Sequence, residues 1–275
     1  VCFGSGRTGA DIKKCEYRMM RIATFASGSK GNCTLVSAGG ARILIDAGIS
    51  MKRITACLSS WGLSPQQLDG VFITHEHADH ISGLPMLLKY FDFPIFAPPR
   101  VGLRLTQMFP GIAGRMKTIH SSQPVSLADI RVTAFSTMHD TPESVGYRID
   151  AEISFGVCTD LGCVTDEVRS ALCGVSAAVI EANHDEEMLR RGPYPVFLKR
   201  RILSDRGHLS NTVSGELAGF LAESGTQTVI LGHLSQENNT PEKAYAAVSG
   251  TLAASGLNPR LLVAPASEML GLEVG

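Results

Sequence analysis

Short apolar runs alternate with stretches of helical period along most of the chain. "RIATFA" (21–26) and "CTLVS" (33–37) flank the Gly-rich turn "SGSKGN", and "RILID" (42–46) follows, a pattern that predicts antiparallel strands. Apolar positions at helical spacing predict helices over about 51–61, 82–90, 100–108, 165–173, 184–191, 210–224 and 241–255, with Thr165 and Ser210 as N-caps. No repeat, low-complexity tract or Pro/Ser-rich linker interrupts this alternation, so residues 19–275 are expected to form one layered domain. Residues 1–18, "VCFGSGRTGADIKKCEYR", follow neither period and are expected to be a disordered extension or an overlong start.

The apolar runs share a way of ending. "RILI" stops on Asp46, "GVFIT" on His75, "ISFGVCT" on Asp160, "SAAVIEA" on Asn183-His184, "TVILG" on His233 and "RVTAFSTM" on His139. Strand ends along one edge of an α/β sheet form the usual crevice for ligands, so these scattered residues can converge.

The densest of them is "THEHADH". On a strand, His75 and His77 would lie on one side; a turn after the strand would instead aim His75 and His77 at one metal ion and Asp79 and His80 at another. Imidazole and carboxylate ligands suit zinc, manganese or iron. With His139 and His233 joining, and Asp160 placed to bridge, a pair of divalent ions about 3.5–4 Å apart can be accommodated. For Glu76 and His120 an ordinary packing or surface role suffices.

Composition narrows the setting. The chain has 275 residues, 44% of them apolar, and a formal net charge of −1, so any polyanion must be met by a local patch. Its apolar runs are too short for a membrane span or a signal peptide, which predicts a cytoplasmic protein without a membrane partner. The seven cysteines (Cys2, Cys15, Cys33, Cys57, Cys158, Cys163 and Cys173) lack CxxC spacing and are expected to be reduced.

Taken with "LIDAG", "MHD", "CTDLG" and "LGHLS", the sequence "THEHADH" resembles the metallo-β-lactamase superfamily of hydrolases. The resemblance covers about residues 20–265 and implies an α/β, four-layer αββα sandwich with two mixed sheets flanked by helices. It further implies that His75, His77 and His139 hold one ion, that Asp79, His80 and His233 hold the other, and that Asp160 bridges them. Asp46 would orient the cluster from behind. Lactam-cleaving members generally carry cysteine where this chain has Asp160. Diiron flavoproteins usually have Glu at the position of His77. Nucleases of the CPSF and ribonuclease J type insert a large domain between positions equivalent to 160 and 233, for which 73 positions leave no room.

Those positions contain "LRRGPYPVFLKRRILSDRGHLSN", where Arg190, Arg191, Lys199, Arg200, Arg201 and Arg206 face one acid, Asp205. Such a run is suited to a phosphate backbone. Together with "ASGSKGN", "NHD" and "GHLSN" it is similar to the YycJ (WalJ)-type branch, which implies a 5′-to-3′ exonuclease acting on DNA. His184, His208, Ser210 and Asn211 are then candidates for a 5′-phosphate pocket, and Arg200 and Arg201 for backbone contacts. DNA bearing 5′-phosphorylated ends is the expected partner, with RNA as the other candidate polymer. A thioesterase of the glyoxalase II kind is the alternative enzyme, and a metal-stabilised regulatory protein the non-catalytic one.

Overall fold

A computed structural model describes residues 19–121 and 123–275; the expectation for residues 1–18 falls outside the described residues. Two seven-stranded sheets pack face to face. The first contains β1 (Met20–Ala26), β2 (Cys33–Ala38), β3 (Ala41–Ile45), β4 (Gly70–Phe72), β5 (Ile95–Ala97), β6 (Met116–Thr118) and the last strand, β14 (Leu270–Val274). The second contains β7 (Val125–Leu127), β8 (Ile130–Ser136), β9 (Val145–Asp150), β10 (Ser154–Cys158), β11 (Ala177–Glu181), β12 (Thr228–Gly232) and β13 (Arg260–Val263).

Each sheet has an antiparallel part made from hairpins and a parallel part made from crossovers. β14-β1-β2-β3 are antiparallel neighbours and β3-β4-β5-β6 parallel ones. The second sheet repeats this, antiparallel from β7 to β10 and parallel from β10 to β13. Parallel neighbours need long connections, which carry helices α1 (Met51–Ser60), α2 (Ala78–Ile81), α3 (Leu84–Tyr90) and α4 (Pro99–Met108) on the first sheet. On the second they carry α5 (Asp166–Leu172), α6 (Glu186–Arg191), α7 (Val196–Ile202), α8 (Asn211–Glu223) and α9 (Pro241–Ala254).

Burial follows from the two-residue period of strands. Ile22, Val36, Ile43, Ile45 and Phe72 point between the sheets, against Val132, Tyr147, Phe155, Val179 and Ile230. Their neighbours Phe25, Leu35, Leu44 and Val71 point outward onto Ile54, Leu58, Leu87 and Leu105 of the first helical layer. Ala178, Ile180, Val229 and Leu231 do the same onto Leu172, Leu217, Leu221 and Val248. The result is the expected helix–sheet–sheet–helix order. Thr165 and Ser210 cap α5 and α8 as expected, accepting from the Val168 and Val213 amides at 3.2 and 3.4 Å.

Candidate metal centre

The polar residues expected at strand ends gather at the carboxyl edges of both sheets. Asp46 follows β3, the "THEHADH" loop follows β4, His139 follows β8, Asp160 follows β10 and His233 follows β12. Among the described non-glycine residues, four have positive φ, and three are Asp46 (61°), Asp160 (59°) and His233 (54°). The fourth, Ala128, lies in the β7–β8 hairpin. Left-handed backbone at a non-glycine residue costs on the order of 1–3 kcal/mol and persists where surrounding contacts dictate it. Here it turns each chain sharply at the end of a strand.

The first sheet supplies one wall. Buried Tyr147 donates to the Ile73 carbonyl at 2.6 Å and pins the chain at the exit of β4. The Thr74 amide and hydroxyl donate to Asp46, and His80 Nδ1 lies 2.8 Å from Asp46 Oδ2. A proton on Nδ1 is what that carboxylate demands. Burial opposes charge on His80, yet Asp46 and Asp160 raise it well above its ordinary value, and its Nε2 points at Asp160 Oδ2 at 3.1 Å and Asp79 Oδ2 at 3.5 Å. Asn32, from the Gly-rich loop, braces the same place: its amide N donates to the Asp79 carbonyl at 2.8 Å and its side chain to Asp79 Oδ2 at 3.2 Å.

The second sheet supplies the other wall through Glu181, the last residue of β11, which is fully buried. Its Oε1 lies 2.8 Å from both His233 Nδ1 and His208 Nδ1, and its Oε2 accepts from the Leu161 and Leu209 amides. Burial pushes this carboxyl up, but His208 and His233 more than offset it and hold it at about 2. With its Nδ1 proton on Glu181, His233 turns Nε2 toward Asp160 Oδ1 at 3.4 Å and Asp79 Oδ2 at 3.5 Å. His139 is oriented similarly, Nδ1 on the Gly207 carbonyl and Nε2 facing Asp140 at 3.3 Å and Asp160 at 3.8 Å.

Two triads of candidate ligands result. Nitrogens of His75, His77 and His139 form one group and atoms of Asp79, His80 and His233 another, each within 4.8 Å, and a third group joins His75 and His80 to Asp160. His75 Nε2 and His77 Nδ1 are 3.0 Å apart, so His77 faces the cluster through its Nδ1. Asp160 Oδ2 is buried without a hydrogen-bond donor. Imidazole nitrogens thus converge on carboxylate oxygens, with protons on His80 and His233 holding the place of a cation, an arrangement that fits divalent cations. The ionisation pattern agrees. Burial and the neighbouring His80 push His75 well below its ordinary value, leaving it neutral and able to ligate. Burial opposes charge on His233, yet Asp160, Asp79 and Glu181 raise it to about 10, while Asp160 itself is held well down by His233 and His80 despite its burial.

Comparison with known proteins shows the family. Residues 41–234 match the family model described as a beta-lactamase superfamily domain. The chain belongs to the metallo-β-lactamase superfamily. It is 35% identical to an exodeoxyribonuclease named YycJ from Bacillus anthracis over 239 residues, 86% of this chain and 90% of the relative. It is 34% identical to the exodeoxyribonuclease WalJ of Streptococcus pneumoniae over 241 residues, with the same coverage. The fold matches that of the Bacillus subtilis metallo-β-lactamase fold protein YhfI, with a TM-score of 0.70 at 15% identity over 92% of this chain and 99% of that one. Divalent metal ions are implied by this superfamily, and the chain is a metal-dependent hydrolase of it. No helix among the described residues is long and apolar enough to cross a membrane.

A cleft of about 220 Å³ opens beside the triads, lined in part by Ser29, Asp140, Tyr194, Arg201 and His208. His208 lines the cleft, whereas His184, Ser210 and Asn211 are buried away from it. The Ser210 hydroxyl is used to cap α8, and the Asn211 amide is exchanged reciprocally with Asn239 at 2.8 and 2.9 Å. The basic run is also less free than its sequence suggests. Arg190 and Arg191 pair with Glu186 and Glu187 one turn away, Arg201 pairs with Asp140, and Arg206 donates to the His139 and Thr141 carbonyls. Arg200 is exposed and makes no ion pair among the described residues. Glu76 accepts from Thr141 at 2.7 Å and His120 is exposed, in keeping with the roles expected of them. Cys158 is buried, and burial raises its thiol above the ordinary range, which leaves Asp160 as the acidic donor on that strand end.

Proposed function

We propose that this protein is a two-metal phosphodiesterase that digests DNA from 5′ ends. The observation that carries the reading is the pair of triads on either side of Asp160, beside the cleft that His208 and Arg201 line; the two exodeoxyribonuclease relatives support the choice of substrate. In this reading His75, His77 and His139 hold one ion, Asp79, His80 and His233 the other, and Asp160 lies between. Zinc or manganese fits these nitrogen and oxygen donors best, with iron the third candidate. Divalent ions bound there would neutralise the scissile phosphate and make a water acidic enough to attack at neutral pH.

The remaining work falls to the chain. His208 is held by Glu181 with its ring stacked on His233 at 5.3 Å between centroids, and its Nε2 is the nitrogen not committed to that carboxylate. Burial disfavours its charge, but Glu181 more than offsets this and raises its affinity for a proton. His208 Nε2 would give that proton to the departing 3′ oxygen, with Glu181 stabilising the imidazolium until it is released. Arg201, at the cleft wall, is placed to meet a neighbouring phosphate once one competes for it with Asp140.

The test is incubation of metal-loaded protein with single-stranded and duplex DNA and RNA, each with a 5′-phosphate or 5′-hydroxyl, followed by product separation on a gel. Progressive shortening from the 5′ end of DNA, faster with the phosphate, is expected. Protein that ignores every nucleic acid but hydrolyses small acylated thiols would overturn the reading in favour of the thioesterase.

A further inference from the structure

The α7 segment presents apolar and cationic side chains together at the rim of the cleft. Val196 is 64% exposed, Phe197 73% and Leu203 49%; within the helix only Ile202 is buried. An exposed phenylalanine alone is unremarkable, but its position is specific. Tyr194, Leu198, Arg201 and Ile202 line the cleft beside Asp140 and His208. Phe197 lies three and four positions before Arg200 and Arg201, so helical geometry places it next to both on the surface. Arg200 has no ion-pair partner among the described residues. Lys199 Nζ donates to the Arg190 carbonyl, which holds the ammonium in place without neutralising it. The patch is therefore an aromatic face edged with positive charge, beside a cleft whose lining residues Asp140 and His208 lie 3.3 Å from His139 and 3.8 Å from Asp160, respectively.

Single-stranded nucleic acid has the matching chemistry: phosphates for the cations and flat bases for the ring. A protein partner would cover the apolar side chains equally well, but it would not account for Arg201 lining the same cleft as His208. We propose that Phe197, flanked by Arg200 on α7, is a stacking platform for one unpaired base of the substrate strand, which sets the strand's register relative to the metal centre. This rests on the nuclease reading above.

The proposal is tested with full-length, metal-loaded protein and a 5′-phosphorylated single-stranded DNA in which one abasic site is moved along the strand. In the wild type, one abasic position should lower kcat/KM by about 5- to 100-fold, the range expected for losing one stacked base. Phe197→Ala should show a similar loss on the intact strand, and the abasic site should then add nothing further at that position. Phe197→Trp should restore both the rate and the abasic penalty. The loss in Phe197→Ala should be at least about fivefold greater on the oligonucleotide than on bis(p-nitrophenyl) phosphate, because the latter has no base to stack.

Penalties that multiply at every position, or Phe197→Ala cleaving the intact strand as fast as wild type, would overturn the platform and leave the nuclease reading standing. A wild-type protein inactive on all DNA would overturn both. A dimer in light scattering that Phe197→Ala dissociates, with no abasic coupling, would assign the patch to a second copy and overturn the proposal.

Discussion

Single atoms decide what the centre can hold. Asp46 accepts from His80 Nδ1 and Glu181 from His208 and His233 Nδ1, which turns Nε2 of His80 and His233 toward Asp160 and Asp79. Asp46 was legible in the sequence as the polar end of "RILI". Glu181 was not, because it sits inside the apolar run "SAAVIEA" and the eye passes to Asn183 and His184 beyond it. A physical signal was present all the same, since a glutamate in a fully buried strand requires partners. Asn32 and Thr74 were missed for a plainer reason: a turn asparagine and a strand threonine are common, and only the fold brings them to Asp79 and His80. Glu181→Gln replaces a pure acceptor by an amide facing two N–H donors and removes the charge that favours protonated His208. Activity should fall by about 10- to 100-fold or more, with reduced metal retention on dialysis. Elemental analysis beside turnover measures both, and wild-type values in the variant would remove Glu181 from the site.

The elements explain which parts of the fold could be read from the sequence. The three N-terminal strands and seven helical stretches have clear periods and appear near the expected positions. β5, β6 and β7 have three residues each, too short to show alternation. α7 was hidden because "VFLKRR" reads as a charge run; as a helix it aligns Phe197 with Arg200 and Arg201. Packing between short elements is equally invisible in sequence. α2, which carries Asp79 and His80, lies against the loop after β3 so closely that a Cβ at Gly48 would overlap the Asp79 carbonyl and the Asn32 amide. Gly48→Ala should therefore displace α2 from the Asp79–His80–His233 triad. Overpacking of this kind costs about 1–3 kcal/mol, so a lower melting temperature should accompany loss of metal. A variant that melts lower yet keeps full metal content would show that α2 tolerates the shift.

At the scale of the whole molecule, the centre is a joint between two halves. The first sheet and its loops contribute Asp46, His75, His77, Asp79 and His80; the second contributes His139, Asp160, Glu181, His208 and His233. Ions bound across that joint would cross-link the sheets at one edge, while the apolar layer between them does so elsewhere. Without metal, protons must take the ions' place between nitrogen and carboxylate, and the raised value of His233, about 10, expresses this. The sign of the resulting pH dependence follows. A histidine raised above its unfolded value of about 6.5 stabilises the metal-free fold fully below that pH and loses the contribution as pH rises toward 10. Metal must displace the same proton, so binding should tighten by up to about tenfold per pH unit for each proton displaced across the window. Both effects act in one direction. The gap in melting temperature between metal-loaded and chelator-stripped protein should widen from about pH 6.5 to pH 9, and calorimetric titration in buffers of different ionisation enthalpy should register proton release. A constant gap with no proton release would mean that the ions do not occupy the place of the His233 proton, and the Asp79–His80–His233 triad would lose its assignment.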